Sequence, residues 1–207
     1  SVKIANEHNE LKTKFIQNIS SQMEPTLNTL AHSAEELLQK APQEAGQMQG
    51  QVAALKKFSD DIQELSSLEN SLTEFYELGE INVGTFCENV MDKAKEYIKT
   101  EVTPSVNAPK LQVKTNKEQL ERILLYLLRN AAIYTEQGRI SLEFKKRGAH
   151  THQFIVTDTG TGIPAEEAHR VFQRFYRGNQ EYVKKQEGSG VGLYLARKIL
   201  EEQKGTI

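Results

Sequence analysis

The stretch "FIVTDTGTGI" (Phe154–Ile163) decides how the rest of the chain is read. Phe154-Ile155-Val156 is an apolar run with strand character, expected to be more buried than its neighbours. The chain then turns at Asp158, Gly160 and Gly162. A carboxylate at a strand end accepts hydrogen bonds and can read the exocyclic amine of a base such as adenine. Glycines at such a turn let backbone approach a flat ring where a Cβ would stand in the way. A plain strand-to-helix turn carries the same pattern, so its meaning depends on what surrounds it.

Downstream lie "VFQRFYR" (Val171–Arg177) and "GSGVGL" (Gly188–Leu193). Helices are expected over about 165–172 and 190–202. Gly188, Gly190 and Gly192 precede and enter the second of these, where free backbone N–H groups suit phosphate; a flexible Gly/Ser linker is the alternative. Upstream, "LLYLLRNAAIYT" (Leu124–Thr135) reads as a helix carrying Asn130. Asn is a mediocre helix former, and its carboxamide oxygen can ligate Mg²⁺; a surface Asn is the plain alternative. Tyr134, one turn on, can stack on a base or serve as an ordinary core tyrosine.

Composition narrows the classes. The chain has 207 residues, 26% charged and 38% hydrophobic, enough for one or two domains with a core. Net charge is -2 with no dense Lys/Arg block, so nucleic acid is not an implied partner. Cys87 stands alone, which excludes an intrachain disulfide and fits a reducing compartment. No apolar run approaches the ~20 residues of a membrane span. The chain starts in mid-pattern at Ser1 and ends at "KGTI" (Lys204–Ile207), where a strand is expected to begin. It therefore reads as a fragment of a longer protein.

The first ~80 residues read as helix by their apolar period. Leu11, Phe15, Ile19, Met23, Leu27, Leu30, Ala34 and Leu37 step by three and four, and form one helix face. "APQEAG" (Ala41–Gly46) is expected to break the pattern. Val52, Leu55, Phe58, Ile62, Leu65, Leu68, Leu72 and Phe75 resume it, with Gly79 as the expected stop. Two such helices make an antiparallel hairpin, which buries both stripes best by pairing with a second copy as a four-helix bundle. Pro25 is expected to kink the first helix, and Ser21, about 200° round from Ile19 and Met23, to face solvent.

From Ile81 the composition changes. Phe86, Val90, Ala94 and Ile98 mark a short helix, and "EVTPSV" (Glu101–Val106) and "KLQVKT" (Lys110–Thr115) have strand character. Pro104 argues for an edge strand. Asn116 with Gln119 forms a capping-box pattern ahead of the helix that carries Leu120, Ile123, Leu124, Leu127, Leu128 and Ala131. "RISLEFKK" (Arg139–Lys146) alternates as a strand. The fold class is α+β: a helical hairpin over 1–79, then an α/β sandwich over 80–207 with helices on one sheet face.

In order and spacing, "LLRNA…YT", "DTGTGI", "FQRFYR" and "GSGVGL" resemble the N, G1, F and G2 boxes of the sensor histidine kinase ATP-binding domain, in the GHKL ATPase superfamily. The resemblance spans roughly residues 84–207. It implies ATP and Mg²⁺ as cofactors, with Asn130 as the metal ligand. It implies nucleotide contacts from Asn130, Tyr134, Asp158, Gly160, Gly162, Ile163, Arg174, Arg177, Gly188, Ser189, Gly190, Val191, Gly192 and Leu193. A mobile lid is implied at about Arg177–Glu187, with Lys184 and Lys185 near phosphate. "KTKFIQNISSQMEPTLNTL" (Lys12–Leu30) is similar to the family's dimerisation and phosphoacceptor helix. It implies a homodimer, a response regulator or partner kinase, and the cytoplasmic portion of a bacterial sensor whose membrane anchor lies in N-terminal regions not included here.

Departures from the family are chemically serious. Ser21 stands where the acceptor histidine belongs, and Gln22 replaces the acid that would act as base. A serine hydroxyl needs a nearby base, which a carboxamide cannot be. Tyr126 and Ile133 replace a polar or acidic residue and a lysine near the metal and phosphates, which weakens charge neutralisation. Three readings follow. The first is an ATP-binding signalling core with autophosphorylation lost or impaired. The second is an active kinase acting in trans on another histidine. The third is a dimeric scaffold with a vestigial pocket.

Overall fold

The structure is a computed structural model that describes the chain except residues 1, 72–76, 150 and 179–189, and except the side chains of 2–15, 17, 64 and 67–71. The described residues fall into two compact units, one of the N-terminal hairpin together with Gly190 and Val191, the other a sheet-bearing unit of the remaining residues.

The hairpin consists of α1 (Val2–Leu37) and α2 (Pro42–Ser71). The break is shorter than the sequence implies. Lys40 and Ala41 both donate backbone N–H to Leu37 O, and α2 starts at Pro42, with Gly46 and Gly50 inside it. Proline at the first helical position loses nothing, because that N–H has no intrahelical partner anyway. Gly79 does not stop α2, whose last described residue is Ser71; it opens a strand instead. α1 runs through Pro25 as one helix, and proline's missing N–H leaves Ser21 O without its usual donor four residues on.

The seam between α1 and α2 has a seven-residue step. Ser20, Leu27 and Ala34 on α1, and Ala45, Val52, Ser59 and Ser66 on α2, are all buried. Only part of each expected stripe is covered. Ile19, Leu30 and Leu37 on α1 stay exposed, as do Leu55 and Phe58 on α2. A single neighbouring helix covers one flank of a broad apolar stripe and leaves the other in water.

The second unit runs β1 (Gly79–Asn82), α3 (Val83–Ala94), one 3₁₀ turn (Lys95–Tyr97), β2 (Val102–Asn107), β3 (Gln112–Thr115), α4 (Lys117–Tyr134), β4 (Gly138–Lys146), β5 (His152–Asp158) and α5 (Gly192–Glu202). β1 and β3 form an antiparallel pair, and β2-β4-β5 form a mixed sheet, β2 parallel and β5 antiparallel to β4. Among the described residues Pro104 does sit on an edge strand, where its missing donor is harmless. α3 and α4 start at asparagine caps. Asn82 Oδ1 accepts from Thr85 N–H at 3.2 Å, and Asn116 Oδ1 from Gln119 N–H at 3.0 Å. The capping box is only half used: the Gln119 side-chain Oε1 accepts from Gln203 Nε2 at 2.8 Å. Ile140, Leu142 and Phe144 alternate along β4 and pack with Val90, Leu124, Leu128 and Ala131 of α3 and α4 in one core.

Two expectations fail here. β5 is not deeply buried: it has β4 as its neighbour among the described residues, Phe154, Ile155 and Val156 are half-buried, and Asp158 is exposed. No helix forms over 165–172. The segment is a run of turns closed mostly by bonds to the third residue back, such as Glu167 N–H to Pro164 O and Arg170 N–H to Glu167 O.

Candidate nucleotide site

Three elements bring their ends together around the "DTGTG" turn. α4 ends at Tyr134, β5 ends at Asp158, and the turn after β5 folds back on the end of α4. Thr161 N–H donates to Tyr134 O at 3.3 Å, and Asp158 Oδ1 accepts from Gly160 N–H at 2.8 Å. Asp158 thus shapes the turn with one oxygen. Gly160 has no room for a side chain: a Cβ there would lie 2.3 Å from Tyr134 O and 2.9 Å from Asp158 Oδ1. Gly162 is glycine for a different reason. Its φ is +71°, in open space, a backbone region that residues with a Cβ rarely enter. Ile163 follows, exposed.

Asn130 lies in the last turn of α4, half-buried, one turn before Tyr134. Burial pushes the Tyr134 phenol up from its ordinary value, while the Arg177 guanidinium acts the other way. Arg177 is therefore close enough to act on the end of α4. Gly190 (φ +72°) and the buried Val191 lead into α5, which starts at Gly192 with Leu193 half-buried. A Cβ at Gly192 would stand 3.5 Å from Tyr126 Cδ1, so the tyrosine four residues before Asn130 lies against the first turn of α5. Gly188, Ser189, Lys184, Lys185 and nearly all of the expected lid lie outside the described residues.

Arg174 is not an isolated cation. Its Nη2 donates to the Tyr194 hydroxyl at 2.8 Å and its guanidinium lies 4.9 Å from that ring. Sequence reading missed Tyr194, and also Thr135, whose hydroxyl is fully buried with no hydrogen-bond partner. The signals available were an aromatic in the first turn after "GSGVGL" and a threonine directly behind Tyr134.

No cluster of three or more acidic, His or Cys side chains that could hold a metal occurs among the described residues, which leaves Asn130 as the oxygen donor read from sequence. One oxygen suffices for an ion that keeps most of its waters and leans on phosphate. On the hairpin, Ser21 is exposed, and its hydroxyl donates to Asn18 O at 2.9 Å. Eleven residues on, His32 is exposed and within 4 Å of Glu35 and Glu36.

A helical hairpin is followed by a mixed sheet with a glycine-lined turn against a helix end, and comparison with known proteins finds others built the same way. Residues 115–207 match the family described as "Histidine kinase-, DNA gyrase B-, and HSP90-like ATPase". The sensor-like histidine kinase SenX3 of Mycobacterium tuberculosis is 27% identical over 93% of this chain and 49% of its own length. The sensor protein SrrB of Staphylococcus aureus is 26% identical over 99% of this chain and 37% of its own. The chain thus spans half or less of these relatives. Among solved structures, full-length ShkA in complex with AMPPNP superposes with a TM-score of 0.69, 19% identity and coverage of 92% of this chain and 41% of that one. The Acinetobacter baumannii histidine kinase AdeS gives 0.62 and 19%, covering 89% and 88%. Residues 115–207 thus match that ATPase family, and the chain as a whole is similar in sequence to sensor histidine kinases and shares their fold.

Proposed function

We propose that this core binds ATP with Mg²⁺, acts as a homodimer, and has lost or nearly lost autophosphorylation at its own acceptor position. The observation that carries the reading is Ser21. It occupies the acceptor position on an exposed helix face, its hydroxyl is engaged with Asn18 O, and the next residue is Gln22. A hydroxyl without a base is a poor nucleophile at neutral pH. Base recognition by Asp158 and the glycine turn is separate chemistry, and nothing at Ser21 removes it.

ATP binding is supported by the family match and by the AMPPNP bound to ShkA. The turn leaves room for a flat ligand at Gly162, where nothing lies within 4 Å of the place a side chain would take. Asn130 would hold the metal ion, which neutralises phosphate charge when bound. Tyr126 and Ile133 bring no charge to that end of α4, so binding is retained better than transfer. Dimerisation is supported by the apolar flank of Ile19, Leu30, Leu55 and Phe58 that the hairpin leaves exposed. The domain boundary lies ahead of β1, a little before the 79/80 division read from sequence, because Gly79 already pairs with Thr115. The partners are a response regulator or a second kinase, and the module is the cytoplasmic part of a membrane-anchored bacterial sensor. No helix among the described residues is long and apolar enough to cross a membrane.

The test is incubation with γ-labelled ATP and Mg²⁺, beside calorimetric titration of ATP into wild type and Asn130→Ala. The expected result is ATP binding that Asn130→Ala weakens, with no label retained on protein. Acid-labile label on the wild-type chain would show an active kinase using another histidine. A folded chain that binds no ATP would leave the scaffold reading.

A further inference from the structure

β5 leaves the sheet at Thr159, and a side chain makes the break. The last register pair of β4 and β5 is Ile140 with Asp158, so Arg139 and Thr159 are the next residues to face each other. Their first bond is the ordinary one: Thr159 N–H donates to Arg139 O at 3.2 Å. In a regular antiparallel pair the return bond would run from Arg139 N–H to the Thr159 carbonyl. Here Arg139 N–H donates to Thr159 Oγ1 instead, at 3.0 Å. The hydroxyl stands in for the residue's own carbonyl, and the peptide between Thr159 and Gly160 is released from the ladder. The N–H of that same peptide, on Gly160, donates to Asp158 Oδ1 at 2.8 Å. Gly138 completes the arrangement. It precedes Arg139 with φ +115°, and a Cβ on it would lie 2.1 Å from Thr159 Oγ1. A side chain at 138 would therefore take the hydroxyl's place.

We propose that Thr159 is a positioning residue for Asp158 in base recognition. Its hydroxyl sets the rotation of the Thr159–Gly160 peptide, and that peptide holds the carboxylate through Gly160 N–H. A carboxylate already held by one oxygen meets an exocyclic amine without first giving up rotamer freedom. The inference rests on the ATP-binding reading above, with Asp158 as the group that reads the amine.

The test compares ATP with purine riboside triphosphate, which is ATP without its exocyclic amine, each with Mg²⁺. Affinities are measured by calorimetry in wild type, Thr159→Val, Thr159→Ala and Thr159→Ser, with circular dichroism to check that each is folded. Valine and alanine remove the hydroxyl with and without the branched shape, and serine keeps it. The hydroxyl-free variants are expected to bind ATP about fivefold more weakly, the worth of one hydrogen bond. Thr159→Ser should stay within about twofold of wild type. The amine-free nucleotide should bind wild type less well than ATP does, and none of the substitutions should change its affinity. A general loosening of the turn would weaken both nucleotides alike. ATP affinity unchanged in the hydroxyl-free variants overturns the proposal. So does an equal loss for the two nucleotides, or a loss in Thr159→Ser as large as in Thr159→Val. Unfolding of both hydroxyl-free variants overturns it too, since the hydroxyl would then support the domain rather than Asp158. A folded wild-type chain that binds neither nucleotide overturns the ATP-binding reading and this proposal with it. Equal binding of the two nucleotides by wild type removes Asp158 as reader of the amine, and the proposal falls while ATP binding stands. Wild type that prefers ATP, with hydroxyl-free variants that match it, overturns the proposal alone.

Discussion

Replacing Gly160 by alanine tests whether the turn after β5 is set by space or by backbone conformation. Gly160 needs no left-handed φ, so an alanine there carries no intrinsic backbone penalty. Its Cβ, however, would lie 2.3 Å from Tyr134 O, 2.8 Å from Tyr134 C and 2.9 Å from Asp158 Oδ1. Two of these atoms are main chain at the end of α4, and Tyr134 O already accepts from Thr161 N–H. They cannot swing away as a flexible side-chain tip can. Relief means shifting the turn by most of an ångström and giving up the bond from Gly160 N–H to Asp158. Overpacking of this kind costs about 1–3 kcal/mol, and the lost bond adds about 1 kcal/mol. The sum corresponds to a melting temperature lower by roughly 10 °C in a domain of this size. Gly162→Ala is the counterpart: nothing lies within 4 Å, but φ is +71°, so its cost is conformational strain alone, about 1 kcal/mol. Thermal unfolding followed by far-UV circular dichroism should therefore rank wild type above Gly162→Ala, and Gly162→Ala above Gly160→Ala. Gly160→Ala melting with or above Gly162→Ala would refute the packing argument.

Other outcomes follow from the same structure. Asn116→Ala removes the cap on α4 and should cost about 1 kcal/mol in urea unfolding. Burial pushes the Cys87 thiol up to about 11. Its folded value lies above the unfolded one, so its contribution to stability is intact below pH 9 and is lost as pH rises toward 11; Cys87→Ala should flatten that alkaline decline in urea midpoints. The native thiol should also resist a disulfide reagent at pH 8 and react once urea unfolds the chain. Phe58→Asp with Leu55→Asp should turn a dimer into a monomer in light scattering while leaving helix content unchanged, because both side chains are exposed within the chain. Dimers of unchanged affinity would place the interface elsewhere.

The elements with a clean period were legible in the sequence. β4 alternates inward at Ile140, Leu142 and Phe144 as its pattern requires, and Asn116 caps α4 as the spacing to Gln119 implies. Ser21 is exposed as expected, but not for the reason of its angle from Ile19, which is exposed as well; the seam runs through Ser20 instead. What escaped was information that residue type does not carry. Pro42 was read as a breaker, but at a first helical position it is a starter. The apolar spacing over 165–172 resembles a helix, yet a tighter bonding pattern was adopted there. Burial along β5 depends on its neighbours in the sheet, which local sequence does not state. At the candidate site, the glycine positions were readable, while their separate reasons, contact at Gly160 and a positive φ at Gly162, needed coordinates. The bond between Arg174 and Tyr194 joins residues 20 apart, and no local motif encodes it.

The strand order also dictates a sequence of events in time. β4 and β5 are adjacent in the chain and pair antiparallel over seven residues, from Ile140 with Asp158 to Lys146 with His152, so their zipper can close early. β2 pairs parallel to β4, and β3 and the whole of α4 lie between them in the chain. That crossover must be laid down before Val102 can meet Gly138, and closing so long a segment is slow. Assembly of the nucleotide domain is thus expected to run from the β4–β5 hairpin toward β2. Pulsed amide labelling during refolding should find β4 and β5 protected ahead of the N–H groups of β2; simultaneous protection would show that the crossover, and not the hairpin, nucleates the domain.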